Sequence, residues 1–141
     1  MHMKKFTVFL FLPLLLLAAC VSPKQKEENL AKEVMAIHDE VMPRMGEISS
    51  YRRELKQKLK AQEFQFSAET RIEREKMERL VMKLDSADKG MMDWMHNYNG
   101  GKDLYSHREI MDYLDAEKKK ISEVKTYMES TLDETKKYLG K

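Results

Sequence analysis

The chain has 141 residues, with 26 Lys and Arg against 24 Asp and Glu, 42% apolar residues, five glycines, three prolines and one cysteine. That length holds one domain, and a lone cysteine excludes an internal disulfide. The nearly balanced charge gives no basic face of the kind nucleic acid requires.

Residues 1–19 read as a signal peptide. Lys4 and Lys5 form a positive start, and Phe6 to Leu17 form an apolar run too short to serve comfortably as a permanent membrane span. Small residues follow, Ala18 and Ala19, and then Cys20. The segment Leu17-Ala18-Ala19-Cys20 resembles a bacterial lipobox, a signal in which the cysteine thiol receives a diacylglycerol and the peptide is cut just before it. The resemblance implies lipidation at Cys20 and the membrane as a partner. Each buried methylene contributes about 0.8 kcal/mol, so two or three acyl chains hold firmly. A lipidated thiol neither ligates metal nor attacks a substrate. In lipoproteins of bacteria with two membranes, an aspartate after the cysteine resembles an inner-membrane retention signal. Val21 stands there instead, which leads to the expectation of an outer-membrane location, on the periplasmic face or at the cell surface. Lys26-Glu27-Glu28 resembles a surface-export tag of Bacteroidota lipoproteins, set further from the cysteine than usual. Loss of Lys4 and Lys5 leaves 24 basic residues against 24 acidic ones, a mature chain of zero formal net charge.

Residues 20–26 read as the lipidated cysteine and a tether, and residues 27–141 as the folded domain. From Glu27 to about Ala61, Leu30, Val34, Ile37, Val41, Met45, Ile48, Leu55 and Leu59 recur mostly at the three- and four-residue steps of an amphipathic helix. Pro43 falls on the solvent side of this stripe, which predicts one bent helix, with a true break as the alternative. "AQEFQFSAET" is the first turn, with Phe64 and Phe66 over the end of the core. Ser67 or Thr70 caps the second helix, and Thr70 with Glu73 has capping-box spacing. In that helix Met77, Leu80, Leu84, Ala87, Met91, Trp94 and Tyr98 step 3-4-3-4-3-4, a heptad seam. "NYNGG" supplies the helix stop. Ser106 and Glu109 then form a capping box, with Tyr105 and Ile110 at the hydrophobic-staple positions. Ile110, Leu114, Ile121, Val124, Met128, Leu132 and Leu139 carry the third stripe. Three helices of similar length joined by short turns predict an all-α fold. It is an up-down-up antiparallel three-helix bundle with coiled-coil-like packing, following an N-terminal signal peptide.

This topology gathers methionine and histidine at one end. Met35, His38, Met42 and Met45 lie on the first helix, Met91, Met92, Met95 and His96 on the second, and His107 and Met111 on the third. Thioether and imidazole suit Cu(I). Helical phase, however, puts Met91 mid-stripe beside Trp94 and Met95, where thioethers fill irregular space against aromatic edges. His96 points away from the core. Met35, His38, Met42 and Met45 share an arc at the flank of the stripe, the set that packing explains least. They are the candidate metal ligands of the alternative reading, and a Met-rich patch for an adaptable partner is a further one. Asp93-Trp-Met-His96 has a di-iron-like spacing but lacks the further carboxylates and the second motif that such sites use. "HDE" at residues 38–40 lacks the second histidine of a zincin motif.

"IHDEVMPRMGEI" and "MMDWMHNY", behind the lipobox, resemble a group of small helical Bacteroidota lipoproteins of unassigned activity, some labelled viral A-type inclusion protein. The resemblance implies location and fold, and transfers no catalytic or binding residue. The expectation is therefore a lipid-anchored envelope protein, not an enzyme and without a cofactor, acting as a structural or protein-interaction module. Its partner is an unidentified envelope protein, and self-association is left open. The alternative is a Met/His soft-metal binder of the envelope.

Overall fold

The computed structural model describes residues 22–62 and 67–141, so Cys20, the signal segment, Phe64 and Phe66 lie outside the described residues. Helix α1 spans Pro23–Val41, a 3-10 turn spans Met42–Arg44, and α2 spans Met45–Ala61. Helix α3 spans Ala68–Asn97 and α4 spans His107–Leu139. Among the described residues every regular element is helical, and no helix is long and apolar enough to cross a membrane.

The first helix starts inside the expected tether, four residues before Glu27. The cause is local. Ser22 accepts a hydrogen bond from the Gln25 amide at 3.2 Å, and Pro23 occupies the first turn, where its missing N–H costs nothing. At Pro43 the helix neither bends as one α-helix nor leaves helical space. The proline has no N–H to give and its ring crowds the preceding turn, so the chain tightens into a single 3-10 turn. Val41, Met42, Arg44 and Met45 all keep right-handed helical dihedrals there. The turn also preserves the phase of the core face. Val34, Val41, Ile48 and Leu55 recur every seven residues across it, and all four are fully buried.

Helix α1 packs mainly on α4, α2 on α3, and α3 on α4, so α1–α2, α3 and α4 pack together as three helical segments. Their shared core joins that row to Met77, Leu80, Leu84, Ala87, Met91 and Trp94 of α3 and to Ile121, Met128 and Leu132 of α4. Tyr51 and Val81 belong to it as well, and neither is in the predicted stripes. Cross-helix pairs edge the core. Glu27–His107, Glu33–Lys118 and Glu40–Lys125 rise in number together along α1 and α4. Arg52 binds Asp85 and Asp88 across α2 and α3 at 2.9 and 3.0 Å. Glu73–Tyr138, Lys83–Glu134 and the Tyr98–Tyr113 ring pair run in opposite senses along α3 and α4.

The capping box of α3 is Ser67 with Thr70, not Thr70 with Glu73. Thr70 lies one turn too far in to be the cap, and the Glu73 carboxylate instead accepts from the Tyr138 hydroxyl at 2.9 Å. The box of α4 is Ser106 with Glu109, as its spacing predicts. Its hydrophobic staple does not form. Tyr105 is 96% exposed, while Ile110 lies near Gly101 together with Leu104.

Candidate functional site

The α3–α4 connection is a turn tied by its own hydrogen bonds. The Asn99 side chain accepts from the Gly101 amide at 2.9 Å and donates to Asp103 at 2.9 Å. The Asn99 amide donates to the Tyr113 hydroxyl at 3.1 Å, and the Leu104 amide donates to the Gly101 carbonyl. Gly101 takes φ +74, and a side chain there would lie 3.4 Å from the Tyr113 ring. Glycine is therefore required by its left-handed backbone, while a side chain there would make only ordinary contact with the ring.

Below this turn a line of rings crosses the three helical segments. His38 of α1 stacks on Trp94 of α3 with centroids 5.6 Å apart, Trp94 on Tyr98 at 4.8 Å, and Tyr98 faces Tyr113 of α4 at 6.3 Å. Offset stacking of this kind adds to the area the rings bury. Burial raises the Tyr98 hydroxyl above its usual range, and the neighbouring Tyr113 and Glu117 add to the effect. Trp94 is 6% exposed, and its Nε1–H makes no hydrogen bond among the described residues.

The methionines divide by depth. Met91 is fully buried, Met35, Met42, Met45 and Met95 are half-buried against the core, and Met92 is exposed. Met111 is half-buried at the start of α4. The histidines are separated from one another by their partners. His38 Nδ1 lies 2.9 Å from the Asp39 carboxylate. An ionised carboxylate only accepts, so Nδ1 is the donor of this pair. His107 Nδ1 is 2.6 Å from Glu27, and His96 is exposed. The structure thus sets Met35, Met42 and Met45 against the same apolar cluster as Met91 and Trp94, with His38 ring-on-ring beside them. It leaves His96 and His107 outside that set. No three His, Cys, Asp or Glu side chains among the described residues form a metal-holding group.

Glu117, a residue outside the predicted stripes, is 4% exposed and is held by Lys120 at 2.7 Å. It lines a groove of about 380 Å³ between α3 and α4 together with Gly90, Trp94, Lys120 and Val124. The signal was present in the spacing. Glu117 falls three residues after Leu114 and four before Ile121, on the heptad path of α4. Thr131 and Thr135 are buried on the same path. Their polar identity concealed what their period shows. Chemically, this end of the molecule offers rings, thioethers and one charge-paired carboxylate.

Among known proteins, no curated protein and no solved structure matches this chain. The model of the Mlp lipoprotein family matches residues 47–139, which run from the first turn of α2 to the end of α4. The match covers well over half of the sequence, and it places the chain within the Mlp lipoprotein family.

Proposed function

We propose that this protein is a lipid-anchored lipoprotein of the cell envelope that works without catalysis, as a structural or protein-interaction module. The observation that carries the reading is the agreement of two independent signals. The family match covers residues 47–139, and the lipobox-like Leu17-Ala18-Ala19-Cys20 lies wholly outside it. Cys20 is the lipidation site, residues 1–19 are the signal removed on processing, and Val21 favours the outer membrane. The likeness to Bacteroidota lipoproteins rests on the two quoted segments around His38 and Trp94. An up-down-up course is supported by the pairs that ascend together along α1 and α4 and by the opposed pairs between α3 and α4. The partner is another envelope protein, met through the long helical faces.

The decisive experiment feeds cells a labelled fatty acid and compares the native chain with Cys20→Ser. The native chain takes up label and loses its leader, while the variant accumulates as unlabelled precursor. Normal cleavage and acylation of the variant would overturn the reading.

Cu(I) binding by Met35, His38, Met42 and Met45 is a second reading. One observation favours it: Asp39 holds Nδ1 of His38, an arrangement that in metal sites fixes the ring and leaves Nε2 for the ion. Against it, Met35, Met42 and Met45 already pack on the core.

A further inference from the structure

We propose that the end of the bundle carrying the α3–α4 turn rests on the bilayer surface, with Tyr105 seated among the lipid headgroups. This rests on the reading that Cys20 bears the lipid. The N-cap of α1, Ser22, is two residues beyond Cys20, and two residues span at most about 7 Å. The start of α1 therefore cannot leave the membrane surface by more than the thickness of a headgroup layer. The start of α4 comes with it, because Glu27, the fifth residue of α1, binds His107 at the first position of α4 at 2.6 Å. The turn that precedes His107 is thus carried to the bilayer by geometry alone.

That turn presents an aromatic ring. Tyr105 occupies the staple position yet is 96% exposed. The turn behind it is fixed by the Asn99 hydrogen bonds and by Gly101 packed at Tyr113. A tyrosine ring, apolar in body and polar at its tip, is the side chain that suits the membrane–water boundary. Charge does not supply the contact. Lys24, Lys26, Lys102 and Arg108 at this end are offset by Glu27, Glu28, Asp103 and Glu109. The docking is accordingly aromatic and insensitive to salt. A single tyrosine would hold no free protein to a membrane, but the acyl anchor makes the contact intramolecular, where a weak interaction suffices. The far end, where α3 begins, stands off by the length of α3's 30 residues, about 45 Å at 1.5 Å per residue.

The test uses the lipidated protein in phosphatidylcholine vesicles and in vesicles with one-third phosphatidylglycerol. An environment-sensitive fluorophore is placed at Lys102→Cys or, as the distant control, at Glu69→Cys, and quenched by lipids carrying a nitroxide near the headgroup. Quenching at residue 102 should exceed that at residue 69 at least fivefold. It should be alike in both vesicles and unchanged between 0.05 and 0.5 M salt, and adding Tyr105→Ser should remove at least half of it. The exposed Tyr105 can be replaced without loss of helix, which circular dichroism verifies. Equal quenching at the two positions, or an unchanged signal with Tyr105→Ser, overturns the docking. The intact mass reads the lipid on Cys20 beforehand. A chain without lipid defeats the anchor and the docking together, whereas a lipidated chain unquenched at residue 102 defeats the docking alone.

Discussion

Met91 and His38 show how far depth, more than residue type, decides what a side chain does. Met91 is fully buried on the core face of α3, so Met91→Ala is expected to cost about 2–5 kcal/mol in urea unfolding. His38 lies at the flank with its ring on Trp94, and His38→Leu should change stability by less than about 1.5 kcal/mol, as a swap that keeps the apolar contact does. Under the packing reading, Cu(I) titration of the native protein is weak and unaffected by that substitution. Tight binding lost on replacing His38 and Met42 together would establish the metal reading instead. The seam from Met77 to Trp94 was legible because every member is apolar and steps at helical intervals. Glu117, Thr131 and Thr135 were not, because a polar side chain on the apolar path becomes a core residue only when a partner satisfies it. Lys120 does this for Glu117 and the Thr131 carbonyl for Thr135. Tyr105 misled in the opposite sense. Its spacing fits a staple, but spacing does not tell which way a turn aims the ring.

At the level of the helices, the two capping boxes look alike and should respond differently to acid. Ser67→Ala and Ser106→Ala are each expected to lower thermal stability by about 1 kcal/mol. The box of α4 contains a carboxylate. Hydrogen bonds from the Ser106 side chain, the Ser106 amide and the Tyr105 amide region hold Glu109 below the usual glutamate range. A depressed folded-state value means the contribution is present above the unfolded value and is lost as pH falls through the folded one. The loss caused by Glu109→Gln should therefore shrink on acidification below the ordinary glutamate range, as read by melts from pH 7 to pH 3. The uncharged Ser67–Thr70 box should show no such trend. Capping chemistry was readable where one candidate fitted, at Ser106. It was ambiguous at the start of α3, where Ser67 and Thr70 both qualify and only the backbone decides. Pro43 announced an interruption, but a 3-10 turn lies between the two expected outcomes. It satisfies the proline while keeping the seven-residue phase from Val34 to Leu55.

For the molecule as a whole, Leu84 is fully buried in the shared core. Leu84→Asp should abolish cooperative melting in circular dichroism, because it leaves an uncompensated charge in an apolar interior. Alkaline stability has a visible source as well. Burial and the Glu73 carboxylate push the Tyr138 hydroxyl up to about 12. A raised folded-state value favours the neutral form in the fold, so the contribution is complete below the ordinary tyrosine value and is lost as pH climbs toward 12. Tyr138→Phe should flatten the fall in melting temperature between pH 10 and 12. The all-helical class was legible from period, and the start of α4 from its cap. The pairing of particular helices was not, since three similar amphipathic stripes do not say which faces meet, and the contacts between them join residues far apart in sequence.

The packing of α1 on α4 has a consequence in time. Glu27 meets His107, and Glu33 meets Lys118, across separations of 80 and 85 residues. A ribosome makes the chain from its N-terminus, so α1 is the first helix synthesised and its chief partner is the last. Helices α2 and α3, which are close in sequence, can pair early. Until α4 arrives, α1 lacks the helix it packs on most. Pulsed hydrogen exchange during refolding should find the amides of α2 and α3 protected before those of α1. A chain stopped before Ile121 should keep α1 open to protease, though α1 itself is intact. Newly made protein thus carries a bare apolar face beside Cys20 for the whole interval that separates its first helix from its last.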